Sequence, residues 1–262
     1  MKPGDKIIKV NNKDVSGMEL DDVVKLIKNK KKVNIIVKRD NKEKEITLKQ
    51  NTVVIPSVSS RIVESNNKKV GVLNVSIFAA NTYKQFKNKL DDLENKKIDS
   101  LIIDVRQNSG GHLDQVSKIL SLFMKQDKVI YQIKTKKGVE KYYSTGKKSK
   151  NYNVVVLIDN SSASASEILA AAMNESYGAT LIGEKTYGKG TVQKEYMLSS
   201  GASIKYTVEN WLTPKGKSIN GKGISPTIEV ALSDEYTNNP TDENDNQLQE
   251  AIKFLTEEKK TN

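Results

Sequence analysis

The stretch IDNSSASASEILAAAMNESYGATLIGEKTYGKGTVQ, residues 158–193, decides how the rest of the chain is read. An apolar run of strand length, residues 154–158, delivers Ser161, Ser162, Ser164 and Ser166 to a pattern rich in Ala, Leu and Ile that lasts to about Ser176. Serines so placed stand at a helix N-terminus, where backbone N–H groups lack partners and a partial positive charge favours developing negative charge. A second apolar strand and a lysine set among glycines, Gly188-Lys189-Gly190, complete the stretch. Strand, serine cluster, helix and strand in that order predict an α/β core with ground prepared for an oxyanion.

The same alternation extends in both directions. Upstream, strands are predicted over 70–78 and 100–105. Helices follow at 81–94, with Tyr83, Phe86, Leu90 and Leu93 on one face, and at 112–124, with Leu113, Val116, Ile119, Leu120 and Phe123 inward. Strands alternating with helices predict a parallel, largely buried sheet. Residues 128–135 and 139–144 suggest a two-stranded excursion. Beyond Gln193, strands at 194–198 and 202–208 are joined by Ser199-Ser200-Gly201, and residues 211–226 read as a Gly, Pro and Lys-rich loop before a short strand at 227–230. A polar linker, 233–244, leads to a helix at 246–257 with Leu248, Ile252 and Leu255 as its stripe, fit to cover the core or a partner subunit. At the other end, strands at 6–10, 33–39 and 43–48 with a helix at 20–29 make a small α/β unit. Its helix carries Leu20, Val23, Val24 and Ile27 at helical spacing. The expected division is therefore 1–50, a connecting segment 51–69, a core 70–232, and a linker with closing helix 233–262.

Composition narrows the function classes. The net charge of +11 raises nucleic acid as a partner, but the lysines are scattered, aromatic residues do not alternate with them, and only Arg39, Arg61 and Arg106 offer bidentate phosphate recognition. No nucleic-acid partner is expected. No apolar run approaches the roughly 20 residues that span a bilayer, and residues 1–5 lack the apolar region of a secretory signal. Absence of cysteine excludes a disulfide framework, a Cys nucleophile and thiolate metal sites. With one histidine, His112, no metal or other cofactor is expected.

Gly183-Glu184-Lys185-Thr186-Tyr187-Gly188-Lys189-Gly190 matches a phosphate-binding loop through seven of eight positions. The eighth is Gly rather than Ser or Thr, and residues 191–198 continue as strand where a phosphate loop opens a helix, so Lys189 needs another explanation. A Ser-His-Asp triad would have to use His112, whose place at a helix start fits capping better. A serine can instead be activated by a lysine whose amine burial keeps neutral. Glycines on both sides of Lys189 would let its backbone approach a serine closely. The residues alone do not choose among Ser162, Ser164 and Ser166.

Three blocks, residues 104–111 (DVRQNSGG), 162–168 (SASASEI) and 183–193 (GEKTYGKGTVQ), resemble the hallmark blocks of the carboxyl-terminal processing proteases, tail-specific serine peptidases of family S41. KPGDKIIKVNNKDVSGMELDDVVKLIK, residues 2–28, looks like the second half of a PDZ domain, making a partial PDZ domain ahead of the core. The resemblance implies a ClpP/crotonase-like protease core of parallel sheet and flanking helices. It implies Ser164 as nucleophile, Lys189 as general base, Gln193 as the residue orienting the lysine amine, and the N–H groups of Gly110 and Ala165 as oxyanion hole. It makes Asp104 and Arg106 scaffold, with Glu167 ordering the helix start. Expected partners are proteins or peptides with apolar C-terminal tails, possible homo-oligomers among them, at the cell envelope or exterior of a bacterium. Two other classes share the fold: a catalytically silent peptide-binding scaffold, and a crotonase-type acyl-CoA enzyme that would not need Ser164 and Lys189 together.

Overall fold

Val33, Ile35 and Val37 are buried while Lys32, Asn34 and Lys38 are exposed, the two-residue period of a strand with one covered face. In the computed structural model, which describes residues 1–2, 4–49, 51, 54, 56–198 and 201–257, that strand belongs to the first of two compact units, Met1–Val54 and Ile55–Asn262. The first unit is an antiparallel sheet of β1 (Lys6–Val10), β2 (Lys13–Asp14), β3 (Lys32–Arg39) and β4 (Lys42–Lys49) in the order β2-β1-β3-β4, with α1 (Leu20–Ile27) packed on it. Asn11, Asn12, Asp40 and Asn41 all have positive φ, as two-residue hairpin turns require and Asn and Asp tolerate. In α1 the inward face is Val23, Leu26 and Ile27. Leu20 and Val24, at helical spacing with them, point outward and are exposed.

The second unit starts with a hairpin, β5 (Val58–Ser65) and β6 (Lys68–Val75), turned at Asn66 and Asn67. Then come α2 (Thr82–Asn95), β7 (Ser100–Asp104), α3 (Leu113–Phe123), β8 (Val129–Thr135), β9 (Gly138–Tyr143), β10 (Asn153–Ile158), α4 (Ala165–Ala172) and β11 (Thr180–Gly183). The chain continues through β12 (Thr191–Met197), β13 (Ser203–Leu212), β14 (Ile228–Glu229), α5 (Asp234–Asn238) and α6 (Asn246–Thr256). Six strands form the central sheet, β14-β11-β10-β7-β6-β5, parallel except for β5. The continuous apolar runs of β7 and β10 follow from cover on both faces. Leu101, Ile103, Val154, Val156 and Ile158 pack under α2, α3 and α4, whereas Ile102, Val155 and Leu157 pack under Leu248, Ala251, Ile252 and Leu255 of α6. The closing helix thus covers the core. Leu248→Ala should lower the unfolding free energy by about 2–5 kcal/mol, measured by urea titration, because its side chain is buried in that layer.

Three expectations change. Residues 51–69 do not merely connect, since β5 lies within them and forms the sheet edge. Its surface carries Ser, Arg and Glu, which masks the alternation of an edge strand in the sequence. The loop expected over 211–226 begins later, because Trp211 and Leu212 belong to β13 and pair with Ile133 and Gln132. The two-stranded excursion expected over 128–135 and 139–144 and the strand pair expected beyond Gln193 join as one antiparallel sheet, β12-β13-β8-β9. Ser199 and Ser200 of the expected turn lie outside the described residues.

Candidate active site

Asp159, just past β10, builds the serine loop. Its buried carboxylate accepts hydrogen bonds from the amides of Ser161 (3.0 Å) and Ser162 (2.9 Å) and, from the loop after β7, the amide of Gln107 (3.1 Å). The three serines that the residues alone could not separate are then distinguished by their partners. Ser162 accepts from the Asp159 amide (3.0 Å), and its hydroxyl reaches the Val105 carbonyl at 2.8 Å. Ser166 donates to the Asn108 carbonyl at 2.8 Å, and both residues are fully buried. No acceptor among the described residues takes the Ser164 hydroxyl proton. Ser164 is half-buried and holds φ 55° and ψ −112° at the N-cap of α4. A positive φ at a residue other than glycine is strained, and here the strain turns the chain sharply from strand into helix with the side chain outward.

Glu167, in the first turn of α4, is fully buried and accepts four hydrogen bonds. Oε2 takes the amides of Ser164 and Lys189, each at 2.8 Å. Oε1 takes the Thr186 hydroxyl and the Gly188 amide, each at 2.7 Å. The lysine loop is gripped from its other side by Trp211, whose Nε1 donates to the Lys189 carbonyl (2.9 Å) and whose amide donates to the Gly190 carbonyl (3.0 Å). The resemblance to a phosphate-binding loop has a physical basis: its donors converge on an anion, and the anion is an internal carboxylate. The flanking glycines admit backbone, but not that of the serine. A Cβ on Gly188, φ 93°, would stand 2.9 Å from the Gly223 nitrogen, and one on Gly190 would stand 2.8 Å from the Asn220 nitrogen.

Both loops open on one cleft of about 300 Å³, lined by Ser164, Ala165, Lys189, Gln193 and Gly111 over an apolar floor that includes Leu113, Ile168 and Trp211. Four of the five site residues read from the sequence therefore line it. Gly110 differs. Its amide donates to Asn108 Oδ1 at 2.9 Å, and it packs beneath the Ser164–Ala165 peptide, where a Cβ would stand 2.9 Å from Ser164 Cβ. Gly111, φ 135°, lines the cleft instead. The amides of Gly111 and Ala165 find no acceptor among the described residues. Lys189, expected to be buried, is half-buried and lines the cleft. Gln193 is exposed beside a bulge between Val192 and Gln193 in β12, a device that re-aims side chains near sites.

His112 is exposed at the N-cap of α3, does not line the cleft, and donates its amide to the Phe78 carbonyl at 2.7 Å. Arg106 joins the end of β7 to the start of α6, bonding both Asp104 oxygens (3.0 and 2.7 Å) and both Asp245 oxygens (2.9 and 2.7 Å). Burial alone would weaken its hold on the proton, but hydrogen bonds to Asp245 and Asp104 outweigh that and raise its pKa. Trp211 was missed in the sequence, where nothing in its spacing marks it. Glu167 had a signal in Ser164-x-x-Glu167, the form of a capping box.

The model described as Peptidase family S41 matches residues 69–230, and a PDZ domain model matches residues 1–38. Carboxy-terminal processing protease CtpB of Bacillus subtilis (strain 168) is 37% identical over 258 residues, covering 97% of this chain and 53% of the relative. CtpA of the same organism is 37% identical over 238 residues, covering 89% and 50%. The chain thus spans about half the length of these relatives. Among solved structures, the photosystem II D1 C-terminal processing protease superposes with a TM-score of 0.63 at 24% identity, over 98% of this chain and 69% of that one. A putative S41 protease from Bacteroides fragilis NCTC 9343 gives 0.66 at 18% identity, over 95% and 72%. These two likenesses show the fold.

Proposed function

The chain belongs to peptidase family S41, and from that premise we propose that it is a serine endopeptidase that cleaves polypeptides near their C-terminal tails through an acyl-enzyme. One observation carries the reading. Of the clustered serines, Ser164 alone both lines the cleft and keeps its hydroxyl proton uncommitted, and Lys189 lines the same cleft.

Ser164 Oγ attacks the scissile carbonyl while the Lys189 amine serves as the base that takes its proton. Negative charge develops on the carbonyl oxygen, for which the amides of Ala165 and Gly111 are the donors free to serve. A preorganised donor of this kind is worth roughly 100 to 1,000 fold in rate. Lys189 returns the proton to the leaving amine, and a water then repeats the sequence on the ester. Gln193, at the bulge, is assigned to orient the Lys189 amine. The apolar floor suits apolar substrate side chains, which supports tails of that character. The relatives CtpA and CtpB come from a bacterium, and action at the cell envelope or exterior is part of the proposal.

A fluorophosphonate should add one phosphonyl group to the chain, mapped by peptide mass spectrometry to Ser164. Incubation with an unstructured protein bearing an apolar C-terminal tail should give discrete truncation products. A label on Ser162 or Ser166, or an intact substrate, would sink the proposal.

A further inference from the structure

Glu167 does more than cap a helix. A capping box needs one glutamate oxygen on the N-cap amide, and that requirement is met by the bond from Ser164 alone. The same oxygen also receives the Lys189 amide, and the second oxygen receives Thr186 and Gly188. Four donors occupy the roughly four acceptor positions of a carboxylate. Thr186 extends the network, since its hydroxyl oxygen accepts the Ile224 amide at 2.7 Å and so fixes the chain beyond the 219–223 turn against the lysine loop.

We infer that Glu167 is a positioning residue: through Oε2 it holds the backbones of Ser164 and Lys189 at one point and so sets the reach of the amine to the hydroxyl. This inference rests on the dyad reading. Glu167 is fully buried beneath the cleft and is not among the residues lining it, so its effect passes through those two residues. No other described side chain is bonded to both loops' dyad residues. Gln has the same shape with one acceptor oxygen, and its NH₂ group must face at least one of the inward-pointing amides. The least disruptive orientation puts NH₂ toward Thr186, whose hydroxyl can turn to accept, but it repels the Gly188 amide and displaces the turn that carries Lys189.

The test measures kcat and KM for tailed-protein cleavage in the whole chain and in Glu167→Gln, Thr186→Val and Ser164→Ala. Each value is divided by the concentration of sites titrated with fluorophosphonate, except in Ser164→Ala, and melting curves are recorded in parallel. A displacement of about 1 Å costs on the order of 100-fold, so Glu167→Gln should lose about that factor in kcat per titrated site, with KM changed less than about threefold. Thr186→Val removes one of the four bonds to Glu167 together with the acceptor of the Ile224 amide and should lose about tenfold, which keeps the inference testable should Glu167→Gln fail to fold. Turnover per titrated site within about twofold of wild type in either folded variant, with activity lost only in step with folded protein, overturns the positioning role. If wild type cleaves, Ser164→Ala does not and Glu167→Gln is unimpaired, the dyad stands and Glu167 alone is rejected. A wild-type chain that neither cleaves nor labels overturns the dyad reading and this inference with it.

Discussion

Ser164→Ala and Lys189→Ala should each lower kcat for peptide cleavage by at least about 10⁴-fold, with the fold retained by circular dichroism. Groups that act as a unit are lost as a unit, so the double variant should be no slower than the worse single one. Lys189→Arg is the sharper case. A guanidinium stays protonated and cannot take the Ser164 proton, so this variant should be as inactive as Lys189→Ala although it keeps the charge. Ser162→Ala and Ser166→Ala serve as the contrast. Their hydroxyls hold the Val105 and Asn108 carbonyls, so these changes should cost stability, about 1–3 kcal/mol each, and still leave Ser164 open to fluorophosphonate. Turnover in Ser164→Ala within tenfold of wild type would show that another group is the nucleophile.

Most of the frame was legible because its signals are local. The apolar run of β10, the helix after the serines and the strand before Gly183 each announce themselves within a few residues, and the sheet follows from their alternation. What was illegible depends on partners distant in sequence. Ser162, Ser164 and Ser166 look alike among small residues, and they differ only because Val105 and Asn108, 57 and 58 positions upstream, claim the outer two hydroxyls. The commitment of the Gly110 amide was likewise illegible, because it depends on the side chain of Asn108, which accepts it. Glycines beside Lys189 suggested a close approach of its backbone to a serine, whereas the segment that approaches is residues 219–223, which could not be read from the loop itself. The capping-box spacing announced one bond of Glu167 and was silent on the three that reach the lysine loop.

Arg106→Ala should be among the most destabilising single changes in the second unit, about 3–5 kcal/mol by urea unfolding, the range for removing one partner of a buried ion pair. The magnitude follows from what is left behind. Asp104 and Asp245 are 7% and 3% exposed, and without the guanidinium two largely buried carboxylates would be left facing one another unpaired. Arg106 also donates to Gln247 Oε1 at 2.9 Å and lies over the Tyr236 ring at 5.9 Å, while Asp245 caps α6 through the Leu248 amide at 2.9 Å. Arg106→Lys should recover little, because an ammonium cannot make the paired contacts to two carboxylates. Arg106→Met combined with Asp104→Leu should recover more than Arg106→Met alone, since it removes one orphaned charge together with its partner. The chain runs from Arg106 directly into the loop that carries Gly111, so slack at this anchor should also reach the cleft, and kcat should fall in Arg106→Ala even at temperatures where it is fully folded. A loss below about 1 kcal/mol with kcat unchanged would mean that α6 is held by Leu248, Ile252 and Leu255 alone, and that the loop keeps its shape without the arginine.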